Sequence, residues 1–191
     1  MKENNQLITH YTVNGAEINS LILRLQKEDS RNLKTFKNFQ WIFLVFIIIY
    51  GFIFIVNPFL DRGLLDRITG ICYILGFIIF GWVFRKYYRE YKTIDYSLPV
   101  AEMLQKAANR YKLRNRKTLI IIIPVLLIDA GITISIFQRY TAFTPWERIG
   151  LVQIMYIPTL IISFLIGVWI WYKKQKPLRD EALKLLDELR N

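Results

Sequence analysis

Apolar residues along this chain are gathered into four runs almost free of charge. Trp41 to Phe59 reads WIFLVFIIIYGFIFIVNPF, and Ile68 to Phe84 reads ITGICYILGFIIFGWVF. Leu119 to Phe137 reads LIIIIPVLLIDAGITISIF, and Leu151 to Tyr172 reads LVQIMYIPTLIISFLIGVWIWY. Each run is 17 to 22 residues long, the length a helix needs to cross a hydrocarbon layer of about 30 Å. Helices buried in water-soluble proteins are usually shorter and keep a polar face. The pattern therefore predicts four transmembrane helices. The first run is too long for a signal-peptide core and is followed by no small-residue cleavage site, so it reads as a retained anchor.

Between and beyond the runs, the period changes from continuous to amphipathic. Ile18, Leu21, Ile22 and Leu25 form an apolar stripe over about Asn14–Asp29, with Asn14 as the expected N-cap. Val100, Met103, Leu104, Ala107, Ala108 and Tyr111 form one over Pro99–Leu113, with Ser97 as the expected cap and Pro99 and Glu102 suited to a helix start. Leu178, Ala182, Leu185, Leu186 and Leu189 form the third, over Pro177–Leu189. Helices this short do not stand alone in water. Three destinations for the stripes stay open: against one another beneath the bundle, flat in the membrane interface, or as a face for a protein partner. The candidate partner-binding face is Val100, Met103, Leu104, Ala107 and Tyr111.

Charge gives the orientation. The formal net charge is +11, and its distribution is one-sided. Six basic residues precede the first run, ten lie between the second and third, and six follow the fourth, against four in the two other loops. The positive-inside rule then puts both termini in the cytoplasm. Trp41, Trp82, Trp169, Trp171 and Tyr172 fall at the inner ends of the spans, and Tyr140 and Trp146 at the outer ends, as interfacial rings do. Topology alone accounts for the basic clusters, so neither nucleic-acid binding nor specific lipid recognition is required. The lipid bilayer is the expected environment, and the Ile- and Lys-rich composition points to a bacterial inner membrane.

The expected fold is an all-α integral membrane protein, with four transmembrane helices as two parallel-repeat hairpins and amphipathic cytoplasmic helices. Its segments are a cytoplasmic N-terminal part (1–40), a first hairpin (41–84), a basic cytoplasmic linker (85–118), a second hairpin (119–172) and a cytoplasmic C-terminal helix (173–191). RNLKT at 31–35 and RNRKT at 114–118 precede the first and third runs. Asp66-Arg67-Ile68 and Glu147-Arg148-Ile149 open the second and fourth. Tandem duplication and the shared physics of membrane hairpins both explain these echoes.

Candidate chemistry is sparse. Asp129 is the one acidic residue in the middle of a run, and a carboxylate there must face other helices, face water or hold a proton. Tyr50, Tyr73, Tyr156, Thr159 and Ser163 are its candidate partners, completing an intramembrane polar site. Gly131 with Ser135, and Ser163 with Gly167, are spaced for close helix contact, while Pro124 and Pro158 are expected to kink their helices. The single cysteine, Cys72, excludes an intramolecular disulfide. His10 has no acidic neighbour, and no phosphate loop, nucleophile elbow or His-Glu metal motif occurs. No catalytic residue, cofactor or metal is expected. The leading expectation is a non-enzymatic inner-membrane anchor or regulator of a cytoplasmic protein partner. The alternative is a small transporter or channel using Asp129, for which four helices enclose too little and a homodimer is implied.

Overall fold

A computed structural model describes residues 2–56, 63–113, 120–139 and 142–190. RNRKT at 114–118 and parts of both expected outer turns lie outside the described residues. Among the described residues every regular element is helical. They are α1 (Lys2–Gly51), a π-helical turn (Phe52–Val56), α2 (Leu64–Lys92), α3 (Val100–Arg110), α4 (Ile122–Arg139), α5 (Pro145–Ile170), a second π turn (Trp171–Gln175) and α6 (Lys176–Glu188). The chain forms two compact units. An apolar unit comprises Lys34–Glu90 and Arg114–Gly167, and a polar unit comprises Met1–Leu33, Tyr91–Leu113 and Val168–Asn191.

Three stretches are long and apolar enough to cross a membrane, within Gly15–Phe54, Leu64–Lys92 and Pro145–Glu188, and they mark the chain as membrane-embedded. The third expected span is shorter among the described residues, its apolar part being Ile122–Phe137. Exposure supports the membrane reading. On α5, Ile154, Met155 and Phe164 are 73%, 76% and 70% exposed, an apolar surface that water would penalise and lipid would not.

Helix boundaries differ from the sequence reading. No break separates the first amphipathic stretch from the first span, because α1 is continuous through Asn14, which is no cap. The third amphipathic helix likewise follows α5 through a π turn, with Pro177 in its first turn where a missing N–H is harmless. Only α3 is detached. Its cap position is Pro99, while Ser97 gives its N–H (2.8 Å) and hydroxyl (2.7 Å) to Asp95 Oδ1, making a local turn before the helix. Those two bonds hold the exposed Asp95 carboxyl below its ordinary range. Pro124 lies in the first described turn of α4, a tolerated position, whereas Pro158 is inside α5.

The apolar unit is organised by an aromatic seam. Phe36, Phe39, Phe43, Phe46 and Tyr50 recur on α1 at alternating steps of three and four. Tyr73, Phe77, Phe80, Phe84 and Tyr87 do so on α2. Antiparallel pairing follows: Phe36 meets Tyr87 with ring centres 5.3 Å apart, Phe39 meets Phe84 at 5.0 Å, and Phe43 meets Phe80 at 4.9 Å. Phe46 meets Phe77 at 5.3 Å and Tyr50 meets Tyr73 at 5.2 Å. Each step forward along α1 is matched by an equal step back along α2. Such ring pairs contribute about 0.5–1.5 kcal/mol each beyond the area they bury. The α2–α4 contact relies instead on small residues. A Cβ on Gly131 would meet the Tyr73 ring at 3.0 Å, and one on Gly76 would meet Ile128 at 3.1 Å.

The turn before α5 is locally specified by TPWE. The Glu147 carboxylate accepts the Thr144 N–H at 2.8 Å, and the Thr144 hydroxyl faces the Glu147 N–H at 3.5 Å. Arg148 fastens the turn by donating to the carbonyls of Phe143 (2.7 Å) and Phe137 (2.9 Å).

The polar unit has its own core. Leu21 and Leu25 of α1 pack with Met103, Leu104, Ala107 and Ala108 of α3, with Tyr111, and with Leu178, Ala182, Leu185 and Leu186 of α6. Phe43 is the hub of the other unit's seam, in ring contact with Phe39, Phe46, Phe77, Phe80 and Phe84. Phe43→Ala is expected to destabilise the protein by about 3 kcal/mol. Phe52→Ala, at a side chain 63% exposed, is expected to change stability by less than about 0.5 kcal/mol. Loss of helical circular dichroism on heating in mild detergent measures both.

Candidate functional site

The intramembrane candidates do not converge as a group. Asp129 is half-buried in α4, and its Oδ1 accepts a 2.9 Å hydrogen bond from Gln153 Nε2 of α5. Gln153 was not among the expected partners, although it is an amide within an otherwise apolar run. The Tyr156 hydroxyl donates to the Val125 carbonyl at 2.7 Å, the oxygen one helical turn before Asp129. Tyr50 and Tyr73 belong to the aromatic seam, and the Tyr73 ring lies over Gly131, two residues from Asp129. Ser163 donates to the Thr159 carbonyl and Thr159 to the Met155 carbonyl, both at 2.8 Å and within α5. Those hydroxyls serve their own helix and leave Asp129 to Gln153. Tyr156 and Thr159 also border a recess of about 550 Å³ between α4 and α5, otherwise lined by apolar side chains such as Ile132, Leu151 and Met155. Its lining suits a hydrocarbon chain better than a hydrated solute.

The stripe expected as a partner-binding face is largely the interior of the polar unit. Met103, Leu104, Ala107 and Tyr111 are at most 4% exposed, and only Val100, at 37%, meets the surface. The physical reason is supply: α1 and α6 bring two further apolar stripes of matching length, so the three helices cover one another.

A polar cluster that the sequence reading missed sits at the end of this core. Asp29 is 4% exposed. Its carboxylate accepts the Tyr96 hydroxyl on Oδ2 and the Tyr111 hydroxyl on Oδ1, each at 2.5 Å, and forms an ion pair with Arg110. Arg110 also lies 5.9 Å over the Tyr91 ring. The Trp171 indole N–H donates to the Tyr111 carbonyl at 2.8 Å. Glu28, beside Asp29, is buried and pairs with Arg31. Asn32 is buried one turn on, with Tyr91 beside it. Its amide nitrogen makes no hydrogen bond of ordinary geometry among the described residues.

The cluster joins α1, the 93–99 connection, the end of α3 and the second π turn. A signal for it does exist in the sequence. The α1 stripe steps through Ile18, Ile22, Leu25, Asp29 and Asn32 at alternating fours and threes, so its last two core positions are polar. A buried carboxylate there must find donors, and Asp29 takes a cation and two hydroxyls. Asp29 thereby ties α1 to the 93–99 connection and to the end of α3.

No protein-family model matches the chain, and no curated protein or solved structure matches it either. Among the described residues, no group of three or more His, Cys, Asp or Glu side chains could hold a metal ion.

Tyr96 and Tyr111 give the polar unit an alkaline limit. Burial raises both hydroxyl pKa values above the ordinary 10, and the neighbouring Asp29 charge raises them further. A group raised on folding contributes stability that is complete below its unfolded pKa and is lost as pH rises towards the folded value. Thermal stability should therefore fall as pH rises above about 10. Tyr111→Phe should lower stability by about 1–3 kcal/mol at neutral pH and flatten that alkaline slope. Thermal unfolding monitored across the alkaline range measures both. In the apolar unit, Gln153→Leu should cost about 1 kcal/mol, the scale of interhelical hydrogen bonds in membranes. Asp129→Asn, which keeps the acceptor oxygen, should cost less in the same melting assay.

Proposed function

We propose that this chain is a non-enzymatic, four-pass inner-membrane protein whose polar unit anchors or regulates a cytoplasmic protein partner. Both termini would lie on the cytoplasmic side. The parity of the chain supports four crossings. Side chains of α1, α3 and α6 share one core, so the chain between any two of them crosses the membrane an even number of times. If α5 crosses, α4 must cross with it. Its 18 residues rise about 27 Å as a helix, close to the hydrocarbon thickness. The basic flanks of all three polar-unit segments favour the cytoplasmic face. Whether the two hairpins descend from a duplication is a separate matter. Leu104, Ala107 and Ala108 in α3 and Ala182, Leu185 and Leu186 in α6 are buried at one constant offset, which favours it.

The observation that carries the functional reading is the completeness of the polar unit. It is a preformed module, with its apolar stripes covered except at their ends, at Val100 and Leu189, and its buried carboxylate paired, borne on membrane helices. A partner would meet its exposed surface, where Leu23, Leu183 and Leu189 are 66%, 42% and 49% exposed, rather than the stripe of α3. A photo-crosslinking residue placed at Leu23, Leu183 or Leu189 of the full-length protein in its native membrane should give a discrete adduct with another protein. The same residue at Leu104 should give none. Absence of any adduct from the three exposed positions contradicts the reading.

The Asp129–Gln153 hydrogen bond, a carboxylate bridging α4 and α5, supports the second reading, a transporter or channel. Solute or ion flux in proteoliposomes that is abolished by Asp129→Asn would favour it. It would still require a homodimer to enclose a path.

A further inference from the structure

The segment WIWYKKQK, residues 169–176, turns its aromatic and basic side chains in two directions. Trp171 is directed into the polar unit, where its indole N–H reaches the Tyr111 carbonyl at 2.8 Å and Arg179 lies 5.5 Å over its ring. Lys174 is close enough to the buried Glu28 to stabilise its charged form. Trp169 and Tyr172 instead face outward, each 58% exposed. Lys173 Nζ lies 4.5 Å over the Trp169 ring, and Lys176 Nζ lies 4.5 Å over the Tyr172 ring. Neither lysine has a carboxylate partner among the described residues, and neither does the Trp169 indole N–H have an acceptor there.

We propose that Trp169, Tyr172, Lys173 and Lys176 form a seat for the headgroup of an anionic phospholipid. Four observations converge on this occupant. The segment directly continues a helix apolar enough to span a membrane, so its first polar turn falls at headgroup depth, where Trp and Tyr rings prefer to lie. Residues 169–176 bring Lys173 and Lys176 beside the two rings and include no acidic side chain, complementary to a phosphodiester, while Asp180, one turn further on, is paired with Arg179. Stacking on the rings holds both ammonium groups in place before a ligand arrives, which lowers the entropy lost on binding. The helix is widened into a π turn over Trp171–Gln175, and such turns frequently occur at functional sites. A phosphate would take the two ammonium groups as a pair, and the Trp169 N–H supplies a donor for a phosphate or ester oxygen.

The test uses the full-length protein in bilayers of phosphatidylcholine alone and of phosphatidylcholine mixed with phosphatidylglycerol. Brominated forms of each lipid serve as fluorescence quenchers. The difference between the protein and Trp169→Phe isolates the signal of Trp169. Brominated phosphatidylglycerol should quench that signal more than brominated phosphatidylcholine at equal mole fraction. In Lys173→Gln/Lys176→Gln, the relative association constant for the anionic lipid should fall roughly tenfold to thirtyfold, about fivefold per lysine. Lys106→Gln/Lys184→Gln removes the same charge elsewhere in the polar unit and should leave the preference intact. Lys173→Arg/Lys176→Arg should keep it as well. Inorganic phosphate should compete no better than chloride at matched ionic strength, because the seat requires a lipid held at headgroup depth. Equal quenching by the two lipids, an equal loss in the control pair, or displacement by free phosphate would each overturn the proposal. Retention of phosphatidylglycerol through delipidating detergent washes, followed by mass spectrometry, gives the same decision for any variant whose fluorescence is too weak to read.

Discussion

Inside a hydrocarbon layer, an apolar side chain gains little by leaving lipid for protein. This constraint divides the molecule. In the apolar unit, hydrophobicity says where helices can lie but not how they pair. Pairing falls to interactions that lipid cannot supply: ring against ring along α1 and α2, backbone approach at Gly76 and Gly131, and the Asp129–Gln153 hydrogen bond. The many exposed Ile, Leu and Phe side chains of α5 are then an ordinary lipid-facing surface.

In the polar unit the driving force is the familiar one, and its logic reverses. Three short stripes would each expose apolar area to water, and they bury it together. Burial brings its own obligation at Asp29, whose carboxylate would be costly in a core without partners. Arg110, Tyr96 and Tyr111 meet that obligation from segments distant in sequence, and so fix how α1, the 93–99 connection and α3 fit together. A polar group at a core position thus selects one arrangement among the several that apolar stripes alone would allow.

The sequence made three of the four expected spans legible because their signal is length and lack of charge, which survive without knowing any contact. It also located the three stripes. It could not say that they would meet, since each reads the same whether covered by protein, lipid or a partner. Helix continuity was hidden for a different reason. Asn14 and Pro177 carry cap and start chemistry, but neither stops a helix whose neighbours on both sides are helical. The aromatic seam was present as a three-four spacing inside runs already explained by hydropathy, so its second meaning was masked. Asp29 and Asn32 were readable as polar residues at stripe positions. The partners of Asp29, namely Tyr96, Arg110 and Tyr111, were not, because nothing local connects residues so far apart. Asp129 had the opposite problem: as a conspicuous charge in an apolar run it drew five hydroxyl-bearing residues as expected partners, while among the described residues its carboxylate is met by the amide of Gln153.

Sidedness is the most direct test of this account, because a common core for α1, α3 and α6 requires paired crossings. Cys72 is the chain's one cysteine, so a Cys72→Ser background permits single thiols to be placed at will. Lys106 in α3, Lys184 in α6 and Trp146 at the start of α5 are all exposed. With a membrane-impermeant thiol reagent added to one side of sealed vesicles, Lys106→Cys and Lys184→Cys should react alike, and Trp146→Cys only from the opposite side. Reaction of Lys106→Cys and Trp146→Cys from the same side, with Lys184→Cys opposite, would contradict it.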